Sequence, residues 1–187
     1  MALQRGGEIE PFPALMKSPD PITHRFADDG RIPNNPTLPM VLYRGGIDLT
    51  GTPDPELTIE RTFAANGWGN MWRNGIYAYA HYHSMIHEAL SIARGRATVR
   101  FGGAKGEKIE VGAGDVVILP AGTGHQCLSH TPDLVVIGAY PPTGTYDLCR
   151  GAKAEHAKAL ASIRKVPLPA TDPAFGLDGP LVALWRA

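Results

Sequence analysis

The chain has 187 residues, enough for one domain with a real core and short for two. Its 18 Lys and Arg balance its 18 Asp and Glu, so no surplus positive charge exists to neutralise nucleic-acid phosphates or to hold an anionic membrane, and neither is expected as a partner. Cys127 and Cys149 are the only cysteines; they are too few for a disulfide framework, lack the paired spacing of a zinc-thiolate knot, and are read as reduced thiols.

Residues 1–24 are expected to form an extended or mobile arm. The stretch up to Asp20 is proline-rich, lacks apolar periodicity, and has neither the basic start nor the apolar core of a secretory signal. No later run approaches bilayer-spanning length, so a soluble, cytoplasmic protein is expected. From His24 onward, HRF and MVLYR read as two edge strands separated by the turn ADDG and the link RIPNNPTLP. Asp54 followed by Pro55 is a strong helix start, Ile59 and Phe63 fall four apart on one face, and Asn66-Gly67 supplies a stop, which predicts one short helix over about 55–66.

The segments IYAYAHYH, ALSIAR, ATVRF, KIEV, DVVILP and LVVIGAY follow, each bounded by glycine, proline or polar turn residues. With 22 glycines and 17 prolines punctuating the chain, the fold class reads as all-β (mainly β), a barrel or sandwich over 25–150 with one or two short peripheral helices. After Tyr140 a double proline closes the sheet. AKAEHAKALASIRK has the composition of a second helix, with Ala157, Leu160, Ala161 and Arg164 along one side, and the last stretch reads as a tail on the surface, so 151–187 forms a helix and tail packed on the barrel.

Chemistry concentrates in two places. In a strand, alternate side chains share a face, which puts Tyr77, Tyr79, His81 and His83 on one side. Glu88 follows after a span short enough to bend back to the same point, with Leu90 and Ile92 continuing on its face. In GDVVILPAGTGH, Pro120 and Gly122 force a tight turn and His125 opens the next strand. A lone His-x-His pair is usually packed or solvated, but three imidazoles and a carboxylate form a set suited to one divalent transition metal ion: Fe, Mn, Ni, Cu or Zn. Four protein ligands leave an octahedral ion about two open positions.

The spacings Gly75-x5-His81-x-His83-x4-Glu88-x6-Gly95 and Gly114-x5-Pro120-x-Gly122-x2-His125 resemble the two signature motifs of the cupin superfamily, and all four metal-ligand positions match. That resemblance directly covers about Gly75 to Ser129. It implies an RmlC-like double-stranded β-helix, or jelly roll, with the metal near the barrel's open end, and a homodimer formed partly by exchange of N-terminal strands. The family often has asparagine four residues after the last histidine, where this chain has Ser129, which is not a usual ligand position. More loosely, AANGWGNMWRNGIYAYAHYHS and VVIGAYPPTGTYD look similar to small bacterial single-domain cupins of the YjlB-like type, a likeness that brings no activity with it.

Around this site, Trp68, Trp72, Arg73, Tyr77 and Tyr79 read either as an aromatic, partly cationic pocket mouth or, for the tryptophans equally, as core packing. Cys127 shares the parity of His125 and is a candidate cavity residue, although such a cysteine is more often a small apolar filler. His87 neighbours Glu88 and is expected on the opposite face. His24, His130 and His156 read as solvated and structural, and Arg94 and Arg96 as solvated hairpin residues.

The metal set suggests an enzyme acting on a small organic molecule, by dioxygen activation or by carbonyl polarisation for isomerisation, decarboxylation or hydrolysis. The likeness to cupin dioxygenases favours the first. The alternatives are a non-catalytic module that captures a small metabolite or sugar, and a closed structural metal site. No nucleophile and base pair suggests covalent catalysis.

Overall fold

The structure is a computed structural model that describes residues 20–187; residues 1–19 of the expected arm lie outside the described residues. Among the described residues, nine strands form two antiparallel sheets: β1 (Ile22–His24), β2 (Met40–Tyr43), β3 (Gly69–Asn74), β4 (Glu88–Arg94), β5 (Arg96–Phe101), β6 (Glu107–Gly112), β7 (Val116–Leu119), β8 (His125–His130) and β9 (Val135–Tyr140). The larger sheet runs β1-β2-β7-β4-β9-β3 and the smaller β6-β5-β8. The inner faces of the two sheets enclose one core, the jelly-roll arrangement.

Two faces are buried on the larger sheet, and the sequence shows why. In β2, Met40 and Leu42 point between the sheets, whereas Val41 and Tyr43 point outward into a second cluster with Ile59, Phe63, Trp68, Leu181 and Trp185. The same alternation separates Leu90 and Ile92 from Ala89 and Ala93 in β4. A strand buried on both sides reads as a continuous apolar run, which is the text of MVLY, VVIL and VVIGAY. In contrast β5 and β6 alternate buried and exposed residues.

The outer face is covered by α1 (Pro55–Ala65) and α3 (Pro180–Arg186). As expected, Asp54 caps α1, its Oδ1 accepting the Leu57 N–H at 2.9 Å, and Ile59 and Phe63 are buried. Helix α3 departs from the expected surface tail. Leu181 and Trp185 are buried in the outer cluster, the Trp185 indole donates to the Pro39 carbonyl at 2.9 Å, and the Tyr43 hydroxyl donates to Asp172 while accepting the Leu181 N–H at 2.9 Å. Proline-rich spacing concealed a segment whose few large apolar groups complete the core.

Helix α2 (Lys153–Ile163) forms where expected but buries Ala159 and Ile163 against Ile32, Tyr82 and Ala121, while Ala157, Ala161 and Arg164 are exposed. The face was misjudged because alanine-rich helices carry little apolar contrast. Ile22–His24, the end of the expected arm, is a strand paired with β2. Arg94 is not merely solvated: its guanidinium makes a two-point ion pair with Glu56, at 2.6 and 3.0 Å, that ties α1 to β4.

Candidate metal centre

Glu88 and His125 each open a strand, β4 and β8, so their backbones are held by ladder hydrogen bonds. Glu88 shares the inward face of Leu90 and Ile92, the parity expected from the sequence. Gly122 in the turn before His125 has φ +94°, and a Cβ there would stand 2.8 Å from the Asn34 carbonyl oxygen, so the turn requires glycine.

His81 and His83 differ from the expected geometry. IYAYAHYH is not a ladder strand: between β3 and β4 it makes only isolated bridges, His81 with His125 and Tyr82 with Cys149. Its backbone groups divide between two partners. Cys127 N–H reaches the Tyr77 carbonyl at 2.9 Å and Gly122 N–H the His83 carbonyl at 2.7 Å, whereas Cys149 N–H reaches the Tyr82 carbonyl at 2.9 Å. A segment shared between two neighbours cannot extend a ladder with either. Asp147 locks its far end, its carboxylate accepting from the Ser84 N–H (2.8 Å), the Ser84 hydroxyl (2.6 Å) and the Met85 N–H (3.0 Å).

The structure brings His81, His83 and His125 together, with ligand-capable atoms all within 4.8 Å of one another and all three residues buried. Glu88 Oε2 lies 3.3 Å from His83 Nε2 and 3.4 Å from His125 Nε2. Each imidazole is oriented through its other nitrogen, which sits against a backbone carbonyl: His81 Nδ1 on Tyr79 (3.1 Å), His83 Nδ1 on Asp147, and His125 Nδ1 on Thr123 (3.2 Å). A carbonyl accepts only, so Nδ1 carries the proton and Nε2 presents its lone pair.

Two of those lone pairs, on His83 and His125, face a Glu88 carboxylate oxygen that is buried and has no hydrogen-bond partner, while the three-histidine group itself does not include Glu88. Acceptors facing acceptors in a buried site call for a cation between them, and two or three imidazoles with a carboxylate fit a divalent transition ion. Without one, a proton serves. Burial pulls the His83 imidazole down, but the Glu88 carboxylate beside it outweighs burial and leaves its pKa raised above the ordinary 6.5. Burial pushes Glu88 up, and the close approach of His83 and His125, when either is protonated, more than reverses this, so its carboxyl is held below the usual range. His81 is lowered to about 3, by burial and then by the neighbouring His125.

A cavity of about 480 Å³ opens above the cluster, lined by Trp72, Tyr77, Tyr140, Tyr146, Asn70 and Asn74 among others, together with Glu88 and the three histidines. Trp72 reaches it because residue 138 of β9 is glycine: a Cβ there would meet the Trp72 ring at 2.0 Å. The Trp72 indole donates to the Tyr140 hydroxyl at 3.0 Å.

Other candidates lie elsewhere. Tyr79 keeps ring contact with Tyr77 (4.8 Å) and His81 (5.6 Å) but does not line the cavity, and the Arg150 guanidinium lies over its ring at 3.9 Å. Cys127 packs in the inter-sheet core and does not line the cavity, because the ladder of β8 carries it one full repeat below His125. Trp68 is buried in the outer cluster and Arg73 pairs with Glu60 at 2.6 Å, so neither forms the mouth. His87 points to the outer side, its Nδ1 accepting the Ala121 N–H at 2.9 Å. Asp147, Tyr140 and Tyr146 were not anticipated; the parity of Tyr140 with Val136 on β9 was the only local signal for any of them.

The Bacillus subtilis (strain 168) protein described as uncharacterized protein YjlB is 42% identical over 163 residues, which is 87% of this chain and 95% of that protein. The family described as Cupin domain matches residues 69–137. The chain belongs to the cupin family. Among solved structures, this cupin is similar to acireductone dioxygenase from Bacillus anthracis with cadmium ion in its active centre (16% identity, 67% of this chain and 83% of that one, TM-score 0.37). It is also similar to RmlC from Streptococcus suis in complex with dTDP-D-xylose (14% identity, 78% and 87%, TM-score 0.33).

Proposed function

We propose that this cupin binds one divalent transition metal ion on His81, His83, Glu88 and His125 and acts there on a small organic molecule, with dioxygenase-type chemistry the leading reaction. The observation that carries the reading is the cluster of three oriented imidazoles whose ligand atoms lie within 4.8 Å of one another, two of which, His83 and His125, face the unpartnered Glu88 oxygen at 3.3 and 3.4 Å. When bound, such an ion supplies Lewis acidity and exchangeable positions for substrate oxygens or dioxygen.

The chain's own groups supply the rest. Tyr140 accepts the Trp72 N–H, which leaves its own proton directed to a partner in the cavity, and burial raises its pKa so that it remains a donor. Tyr146, whose ring lies 5.0 Å from His83, screens that ligand from water. The two free thiols suit a reducing compartment, and the family resemblance extends the proposal to a cytoplasmic homodimer, which sedimentation equilibrium tests.

The deciding experiment is metal analysis of protein purified without added metal, beside His83→Ala. Stoichiometric metal in the first and its loss in the second are expected; absence from both refutes the reading. Oxygen uptake by the iron-loaded protein over phenols, diketones, thiols and sugars then separates turnover from capture of a metabolite.

A further inference from the structure

The polar and apolar character of the cavity wall is uneven. Among its described lining residues Glu88 is the only acidic side chain, and no Lys or Arg contributes. The cations nearest in the chain to the lining segments are engaged elsewhere: Arg73 with Glu60, Arg94 with Glu56, and Arg150 over the outer face of Tyr79. A substrate carboxylate or phosphate is ordinarily met by such a group, often in a two-point contact. The metal end of the cavity can answer one anionic group, through the ion or a protonated His83, but a second anionic group on the aromatic wall away from it would meet no counter-charge, and a buried unpaired charge is costly.

What the wall does offer is ring surface. Tyr146 and Tyr77 stand at the entrance with about half of each exposed, 52% and 46%, although each has ring neighbours on the inner side: Tyr146 lies 5.6 Å from Tyr140, and Tyr77 lies 5.1 Å from His81. Trp72 and Tyr140 continue the wall inward. Large aromatic groups left half-exposed around a concavity are the usual marks of a ligand site. Polar matching at the rim comes from neutral amides. Asn70 has φ +50° at the bulge of β3, a conformation that asparagine tolerates and that re-aims side chains, and it lines the cavity.

We infer that the cavity takes an uncharged, ring-bearing small molecule such as a phenol, received by Trp72, Tyr77, Tyr140 and Tyr146 with its hydroxyl edge toward the histidines, and that it discriminates against ring compounds carrying a carboxylate or phosphate on the edge away from the histidines. This rests on the metal-site reading only for the direction of the hydroxyl edge.

The test compares 4-methylcatechol with 3,4-dihydroxybenzoate, which share the ring and adjacent hydroxyls and differ by a methyl against a carboxylate. Both are titrated calorimetrically into the Zn(II)-loaded protein, redox-inert and therefore free of turnover, and into the metal-free protein. The uncharged probe is expected to bind at least about 10-fold more tightly in whichever form binds. Tyr146→Ala is expected to weaken it roughly 3- to 10-fold, with Tyr146→Phe close to wild type and Zn(II) content unchanged in both. Equal or tighter binding of the carboxylate, no binding of either probe to either form, or no effect of Tyr146→Ala overturns the inference. Failure to retain Zn(II) overturns the metal reading instead, and the ranking on the metal-free protein then decides the inference separately.

Discussion

The candidate metal centre is built from two unlike halves. Glu88 and His125 stand at the first residues of β4 and β8, where ladder hydrogen bonds and the inter-sheet core hold the backbone. His81 and His83 stand on an irregular segment fastened by isolated bridges and by the Asp147 carboxylate. A strand positions a ligand as a by-product of folding, whereas a loop must be given its own clamps. The strand-borne half therefore depends on the core, and the loop-borne half depends on a few polar contacts that contribute little to global stability.

That contrast can be broken deliberately. The largest effect is expected from His125→Ala, which removes a ligand and leaves the β8 ladder intact: metal content measured by plasma mass spectrometry should fall to background while the far-ultraviolet dichroism is unchanged. Retained stoichiometric metal would place the ion elsewhere.

Asp147→Ala attacks only the loop-borne half. It strips the acceptor from three donors of residues 84 and 85 and frees the carbonyl that orients His83, so metal affinity should weaken by about 10- to 100-fold, the range for such supporting groups. The melting temperature should move little. A large drop in melting temperature with unchanged affinity would reverse the assignment of roles.

Acid should act on the same half. The His83 pKa is raised and a bound metal requires the neutral ring, so its proton competes with the ion below that raised value, and occupancy should decline as pH falls through it. In the metal-free protein the signs differ by residue. His81 and His87, lowered chiefly by burial to about 3 and about 4, bind protons in the unfolded chain before the folded one. Their contribution is present above pH 6.5 and is lost as pH falls toward those values. His83 contributes the reverse: stability present below its unfolded value of 6.5 and lost as pH rises through its raised folded value. Metal titrations at pH 7.5, 6.5 and 5.5 with melting curves at each pH test both statements, and occupancy constant across that range contradicts the first.

The smallest effect is expected from Cys127→Ala. The thiol packs between the sheets and does not line the cavity, so metal affinity should stay within about twofold, with a stability loss of about 1 kcal/mol in denaturant titration. A loss of metal affinity comparable to that of Asp147→Ala would return this sulfur to the site.

Much of the fold was legible because short-range chemistry dictates it. Asp54-Pro55 capped a helix where one was expected, and the runs ALSIAR, ATVRF and DVVILP became β4, β5 and β7 with the inward parity of Glu88, Leu90 and Ile92 intact. Parity failed where its assumption failed. Tyr79 keeps ring contact with Tyr77 and His81 yet does not line the cavity, its other face lying under Arg150, and Cys127 shared a face with His125 but lay too far along the strand to reach the cavity. Trp68 and Trp72, four apart in one aromatic run, went to opposite sides of the larger sheet, a division that residue type alone does not carry.

What the sequence determined by itself is the candidate donor set: residue types and spacings that are local, together with glycines that only a tight turn needs, such as Gly122. What only the tertiary structure decided is everything supplied from a distance. Asp147 reaches back 63 residues to Ser84, Gly138 makes room for the ring of Trp72, and Trp185 donates across 146 residues to Pro39. These contacts exist because two sheets close on one another and a C-terminal helix seals the outer face, and no local pattern encodes which distant partner will fill a given space.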